Sequence, residues 1–187
     1  MNYWLSRIRI KIWLFLGRRR CKQKRYVDAL NYYEKVIRTD PAPSFAFAQA
    51  AFCLNELERY DEAIDAYERA LQGAPHYADV HAYLAQIYSR LARNQESYDS
   101  IHRAFRAKPQ LRDSAYWCQV LGNICLKLER WAEACAAFQK ITESEKGNAE
   151  VWLGLGNSLG RMERWQEALD AYQAMAELNP NSGRAWH

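Results

Sequence analysis

Small and large apolar residues recur along this chain with a period of 34 residues, interrupted once by three additional residues. In each period a large apolar residue follows a small one by four positions, a spacing that places both on one face of a helix. The large residues are Tyr33, Tyr67, Ile101, Phe138 and Tyr172, and the small ones are Ala29, Ala63, Ser97, Ala134 and Ala168. The pattern predicts a row of helices built from one repeated unit.

A charged heptapeptide keeps its register in three of the repeats. Leu57–Ala63 reads LERYDEA, Leu128–Ala134 reads LERWAEA and Met162–Ala168 reads MERWQEA. Earlier in each repeat, the eighth position holds only glycine or alanine, and we expect two helices to approach closely there. These residues are Gly17, Ala51, Ala85, Gly122 and Gly156.

Prolines mark the ends of the repeats, because a proline cannot continue a helix. Pro41, Pro75 and Pro109 are 34 residues apart, Pro180 ends the fifth repeat, and Lys146 takes the proline position of the fourth. We expect two helices of about 12–14 residues in each repeat. The repeats are 10–43, 44–77, 78–111, 115–148 and 149–182, with residues 112–114 inserted, 1–9 as an N-terminal extension and 183–187 as the start of a sixth.

These positions resemble the tetratricopeptide repeat family, and Val151–Asn157 is the stretch most similar to its pattern. The sequence departs from that pattern at Glu58, Glu129 and Glu163, where the family usually has a turn glycine, and at Arg20, where an apolar residue is expected. The resemblance implies an all-α, right-handed superhelical solenoid in a single domain over residues 1–187. It also implies a concave groove lined by the first helix of each repeat.

The resemblance further implies which residues face the groove, namely positions 2, 5, 9, 12 and 13 of each first helix. Asn123 and Asn157 carry amides suited to a peptide backbone, although asparagine belongs to the family pattern regardless of ligand. Aromatic groove residues offer apolar anchors or pack between repeats. Gln119 and Leu153 stand where a carboxylate clamp would have lysine, which argues against recognition of chaperone C-termini. The candidate groove residues are Phe45, Phe52, Asn55, Gln86, Arg90, Tyr116, Gln119, Asn123, Lys127, Asn157 and Arg161.

Positive charge is concentrated at the N-terminus. The chain carries a net charge of +4, and residues 1–25 hold nine Lys or Arg residues and no acid, so residues 26–187 carry −5. The alternation in residues 7–12 is the pattern of a strand, but the surrounding helical repeat favours a helix. A helix would gather six apolar residues in one stripe, namely Trp4, Leu5, Ile8, Ile12, Phe15 and Leu16. The candidate residues for an anionic surface are Arg7, Arg9, Lys11, Arg18, Arg19, Arg20 and Lys22.

Three interpretations of this segment remain open from sequence. The helix caps the end of the repeat array, with basic residues that keep it in solution, or it lies on an anionic membrane. The third is binding to an acidic partner or nucleic acid. RNA is the least favoured, because the basic residues form one terminal block without stacking aromatics along the groove.

The residues that usually carry chemistry do not form a site in the sequence. The four histidines lack a zinc-type spacing, the five cysteines include no Cys-x-x-Cys pair, and phosphate-binding and nucleophile motifs are absent. Cys118 and Cys125 fall at core positions, whereas Cys21, Cys53 and Cys135 have no visible partner. We therefore expect no enzyme, metal or cofactor. No apolar stretch reaches 18 residues and no secretion signal is recognisable, so we expect a cytoplasmic protein.

Binding to other proteins is the function that the sequence favours. We predict a non-catalytic adaptor or scaffold that holds a peptide or helix of a partner in the groove. The alternatives are a peripheral membrane scaffold recruited through residues 1–25 and a substrate-recruiting module of a larger enzyme. The unfinished sixth repeat predicts either a fragment of a longer protein or an exposed end that docks to a partner or to a second copy.

Overall fold

In a computed structural model of the chain, the structure describes residues 2–144 and 148–178, and every regular element within these ranges is helical. The predicted all-α class of helix-turn-helix repeats is confirmed. Lys146, Pro180 and the predicted sixth repeat lie outside the described residues.

The helices α2 to α10 contain 12–14 residues each, as predicted. The first helix, α1, is longer, with 21 residues, and runs without a break from the predicted extension into the first repeat, so residues 7–12 are helical and not a strand. The helices are α1 Asn2–Lys22, α2 Tyr26–Ile37, α3 Ser44–Glu56, α4 Tyr60–Gly73, α5 Ala78–Arg90, α6 Asn94–Ala107, α7 Ala115–Lys127, α8 Trp131–Ser144, α9 Ala149–Arg161 and α10 Trp165–Leu178.

The chain divides into two compact units, residues 1–87 and 88–187, with the boundary inside α5. In the N-terminal unit, α1 packs on α2, α2 on α3 and α3 on α4. In the C-terminal unit, α7 packs on α8, α8 on α9 and α9 on α10, while a 3-10 helix over Pro109–Asp113 joins α6 to α7. This short helix contains Arg112 and Asp113, two of the three residues of the predicted insertion. A single solenoid domain over the whole chain stays a prediction.

The turn inside each repeat is left-handed although no glycine is present. The fifteenth residue of every repeat has a φ between 57° and 59°. In the second repeat, Glu58 N–H donates to the Asn55 carbonyl at 3.0 Å and Arg59 N–H donates to the Leu54 carbonyl at 2.9 Å, the two bonds of a Schellman motif. The departures from the family pattern therefore change the residue but keep the turn. The five residues are Lys24, Glu58, Ala92, Glu129 and Glu163.

An arginine follows each of these turn residues and pairs with an acidic residue three positions later. The closest N–O distances run from 2.5 to 3.2 Å, and the side chains are partly exposed. Such exposed pairs contribute little to stability. The recurring charges therefore belong to the repeat itself, not to a binding site. The pairs are Arg25–Asp28, Arg59–Glu62, Arg93–Glu96, Arg130–Glu133 and Arg164–Glu167.

The two helices of a repeat meet where the small eighth residue faces the large residue at position 24. A Cβ atom added to Gly17 would lie 2.7 Å from the Tyr33 ring, and one added to Gly122 would lie 2.6 Å from the Phe138 ring. Both rings are fully buried. The expected close approach is confirmed. In α9, Gly154 meets the same Phe138 ring, since its added Cβ would lie 2.6 Å away. Phe138 thus joins α7, α8 and α9.

The left-handed turns predict that glycine stabilises the protein at position 92. We expect Ala92→Gly to raise the free energy of unfolding by about 0.5–1 kcal/mol, because relief of the unfavourable positive φ exceeds the entropy that glycine adds to the unfolded chain. Urea unfolding measures the change. Ala136→Gly, at an exposed position inside α8, should lower the same free energy by about 1 kcal/mol. A loss of stability in both variants would contradict the assigned turn strain.

The contact of Phe138 with α9 predicts that one methyl group added at Gly154 lowers the stability of the protein substantially. We expect Gly154→Ala to lower the free energy of unfolding by about 1–3 kcal/mol, because the methyl group overlaps a ring that is held on both sides. Gly160→Ala is the matched control on the same helix, where the added Cβ meets only Trp165 at 4.0 Å. That control should stabilise by about 0.5–1 kcal/mol. Equal behaviour of the two variants in urea unfolding would contradict the packing argument.

Candidate functional site

Four aromatic rings form a continuous cluster in the N-terminal unit. The Tyr26 and Phe52 rings meet edge to face at 6.2 Å, Phe52 and Tyr83 do so at 5.8 Å, and Tyr83 stacks on Tyr67 at 6.0 Å. Each such contact contributes about 0.5–1.5 kcal/mol beyond the area that it buries. The rings are therefore held in fixed positions. We call Tyr26, Phe52, Tyr67 and Tyr83 the aromatic cluster.

A cavity of about 230 Å³ opens beside this cluster between α3 and α5. Phe52 and Tyr83 form part of its wall, and Asp79 provides a carboxylate. The cavity has room for one side chain of a ligand. Its lining residues are Ala48, Gln49, Phe52, Tyr67, Tyr77, Asp79, Val80 and Tyr83.

The Tyr67 hydroxyl beside the cavity is buried and makes no hydrogen bond within the part of the chain that the structure describes. Burial raises the pKa of Tyr67 far above its ordinary value, so the hydroxyl stays protonated. A buried polar group without a partner costs about 1–3 kcal/mol. The site therefore carries an unfavourable feature that a hydrogen-bonding ligand would relieve.

The other predicted groove residues of this unit lie on α3 and α5. Phe45 is half-buried, with the Arg18 guanidinium 4.8 Å from its ring centre. Asn55 is buried and Gln86 is half-buried. The structure thus places Phe45 and Phe52 on one helix and brings Arg18 of the basic segment against Phe45.

In the C-terminal unit, the predicted groove residues of α7 form a polar row. Gln119 donates to the Glu150 carboxylate at 3.2 Å and accepts from Asn148 at 3.4 Å. Lys127 donates to the Ser89 carbonyl and hydroxyl oxygens, each at 3.4 Å. Tyr116 is exposed, and its ring meets that of the adjacent Trp117 at 4.9 Å.

The two groove asparagines have different surroundings. The Asn157 amide oxygen accepts a hydrogen bond from the Tyr172 hydroxyl at 2.9 Å, so that oxygen is already bonded within its own repeat. In the preceding repeat, Phe138 takes the position of Tyr172 and has no hydroxyl to offer Asn123. Both asparagines are exposed. Arg161 lies over the Trp131 ring at 4.7 Å, and Arg90 is exposed on α5.

The outer side of α1 carries an apolar stripe that is open to solvent. Trp4 is 69% exposed, Leu5 47%, Ile12 50% and Phe15 65%. At about 100° per residue, these side chains lie opposite Gly17, which packs against Tyr33. We call these four residues the outer stripe.

Basic residues border the outer stripe along both edges. The helical spacing places Lys11 and Arg18 along one edge and Arg9 and Arg20 along the other. Arg20 is half-buried and donates to Gln23 at 3.2 Å. The remaining basic candidates on α1 are exposed, and they are Arg7, Arg19 and Lys22.

A second cavity, of about 350 Å³, lies in the C-terminal unit away from the predicted groove positions. Burial lowers the pKa of its His102, whose Nε2 atom is buried without a hydrogen-bond partner among the described residues. Sequence reasoning missed this cavity, because its walls come from separate elements. They are contributed by α6, the 3-10 helix, α7 and α8.

An apolar surface is also exposed on α10. Trp165 is 67% exposed and Leu169 49%. The equivalent tryptophan of the fourth repeat, Trp131, is covered by Arg161 from the following first helix. Docking of a partner or a second copy on the fifth repeat stays a prediction.

None of the helices in residues 2–144 and 148–178 is both long and apolar enough to cross a membrane. The same ranges hold no group of three or more His, Cys, Asp or Glu side chains arranged for a metal ion.

The helix pairs with left-handed turns define an all-α repeat protein. Three family models match the sequence, and each describes a tetratricopeptide repeat. The chain belongs to the tetratricopeptide repeat family. The matches cover residues 16–78, 54–124 and 149–182.

Several solved structures share this fold. YrrB, described as a TPR protein with an unusual peptide-binding site, is 20% identical, with a TM-score of 0.81 over 90% of this chain and 86% of that chain. MamA of AMB-1 is 21% identical, with a TM-score of 0.82 over 93% of both chains. MamA from Desulfovibrio magneticus RS-1 is 16% identical, with a TM-score of 0.79 over 92% of this chain and 96% of that chain. These likenesses show the fold alone. No curated protein matches the sequence significantly.

Proposed function

We propose that this protein is a non-catalytic adaptor of the cytoplasm that binds a peptide segment or helix of a partner protein through its first helices. The observation that carries the proposal is the cavity beside the aromatic cluster, which lies at predicted groove positions of α3 and α5. YrrB, which shares the fold, is described as having a peptide-binding site. That description supports the class of function and not the partner.

The chemistry of the cavity favours one apolar or aromatic side chain of the partner as an anchor. Fixed aromatic rings provide large contact areas without ordering on binding, and buried aromatic anchors dominate many interfaces. A polar tip on that side chain would give the Tyr67 hydroxyl the hydrogen bond that it lacks. In the C-terminal unit, the exposed amides of Asn123 and Asn157 suit the backbone of an extended segment.

Membrane attachment through α1 is a second function, favoured by the outer stripe. A helix with exposed Trp and Phe side chains between two basic edges is suited to lie flat in the interface of an anionic membrane. Burial of a large apolar side chain contributes about 1.5–3 kcal/mol, and each basic residue near an anionic surface contributes about 1 kcal/mol. The helix, about 30 Å long at 1.5 Å per residue, would scaffold partners at the inner face of the membrane.

Replacement of Phe52 tests the peptide-binding proposal. Peptides selected from a displayed random library on the wild-type protein should bind Phe52→Ala roughly 10- to 100-fold more weakly, because the cavity loses a wall and an anchor contact. Fluorescence anisotropy with a labelled selected peptide measures the affinity. Asn123→Ala with Asn157→Ala tests the amides in the same assay.

Phe47→Ala is the matched control for this experiment, since Phe47 lies on the same helix and contributes to a different cavity. It should leave the affinity unchanged. Selected peptides that bind Phe52→Ala as tightly as the wild type would refute the cavity as the anchor site.

Vesicle sedimentation tests the membrane proposal. The whole chain should pellet with phosphatidylserine-containing vesicles and less with pure phosphatidylcholine, and Trp4→Ser with Phe15→Ser should lose most of this binding. Trp165→Ser removes an equally exposed tryptophan elsewhere and should not. If the double variant pellets like the wild type, the outer stripe does not bind lipid.

A further inference from the structure

Two cysteines that are distant in the sequence meet in the N-terminal unit. Cys21 lies in the last turn of α1 and Cys53 lies in α3, and their Sγ atoms are 3.2 Å apart. Both are free thiols. Cys53 is fully buried, whereas Cys21 is half-buried. A reagent from solvent therefore has a path to Cys21 and none to Cys53.

The surroundings of the two thiols shift their pKa values in opposite directions. The Cys53 and Cys21 sulfurs are within hydrogen-bond distance of each other, and the Tyr33 hydroxyl lies 3.7 Å from the Cys21 sulfur. These contacts outweigh burial and the charge of Glu56, and they lower the pKa of Cys21 to about 7. The hydrogen bond to Cys21 and burial raise the pKa of Cys53 far above its ordinary value. Cys21 therefore ionises more readily than an ordinary cysteine, and thiolate is the nucleophile.

We propose that Cys21 and Cys53 form a peroxide-reactive pair, in which Cys21 is attacked first and Cys53 closes a disulfide between α1 and α3. The oxidant is a hydroperoxide such as hydrogen peroxide. The first step makes an S–O bond and breaks the O–O bond, so that Cys21 becomes a sulfenic acid and hydroxide leaves to take up a proton as water. Cys53 then attacks the Cys21 sulfur, its thiol proton leaves with the hydroxyl group as water, and the S–S bond forms.

The reaction balances without a further reactant. Two thiols and one hydrogen peroxide give one disulfide and two waters, and the two electrons that the sulfurs lose reduce the peroxide. A disulfide requires an S–S distance of about 2.05 Å, so the sulfurs need to approach by only about 1 Å. The product would tie α1 to the second repeat.

The oxidised protein should be more stable than the reduced protein. Linking residues 21 and 53 restricts the unfolded chain, so oxidation should raise the melting temperature by roughly 5–10 °C, reversibly with dithiothreitol. The rate of the first step should rise with pH and level off above the pKa of Cys21, which is about 7.

The test is oxidation of the whole chain with a few molar equivalents of hydrogen peroxide, followed by proteolysis and mass spectrometry. The expected product is the peptide pair linked through Cys21 and Cys53. In Cys53→Ser, Cys21 should accumulate as a sulfenic acid that dimedone traps. In Cys21→Ser, the disulfide and the shift in melting temperature should both be lost.

Cys135→Ser is the control, because Cys135 is buried and burial raises the pKa of that thiol. The Cys135→Ser variant should form the Cys21–Cys53 disulfide as the wild type does. The proposal is overturned if Cys21 reacts no faster than Cys135, if the disulfide maps to other cysteines, or if Cys21 proceeds to sulfinic acid in the wild type without linking to Cys53. The wild-type peptide map decides this even if a serine variant does not fold.

Discussion

The fit of a small residue at the eighth position against the large residue at position 24 is the constraint on which the rest of the structure depends. At Gly17, Gly122 and Gly156, the space that a Cβ would occupy is filled by the ring of the second helix. This fit fixes the distance between the two helices of a repeat. It also places the ring where the next first helix contacts it, as Gly154 contacts Phe138. One pair of positions thus sets both the packing within a repeat and the packing between neighbours.

Because the interior uses only a few positions of each first helix, the others are free to carry chemistry. In the N-terminal unit they hold aromatic residues that border a cavity, and in the C-terminal unit they hold amides and charged groups. The arginine–acid pairs follow the turns of all five repeats, so they do not distinguish one repeat from another. Differences between repeats, and not the packing that the repeats share, therefore distinguish what each surface can bind.

Features that depend on spacing along one helix were predictable from the sequence, and features that depend on contacts between repeats were not. The helix pairs, the small eighth residue and the unusual turn at Glu58 follow from periodicity and from the family pattern. The cavity combines Phe52 with Tyr67 and Tyr77, which the groove positions of first helices do not include. Cys21 and Cys53 occupy different positions in their repeats, so a comparison of equivalent positions does not reveal their contact. Only the packing of α1 on its neighbours brings the two sulfurs together.

The exposed apolar residues of α1 are the feature of the sequence that the repeat fold does not explain. A helix that merely caps an array needs one apolar face toward its neighbour and a polar face toward water. In α1 the inward side carries Gly17 and Cys21, which pack within the unit, and yet Trp4 and Phe15 on the opposite side are more than half exposed. Exposed tryptophan and phenylalanine do not keep a protein in solution, and a basic border does not bury them. The helix therefore has two apolar faces, of which the repeat array uses one, and the exposed second face is the observation that supports the proposed contact with an anionic membrane.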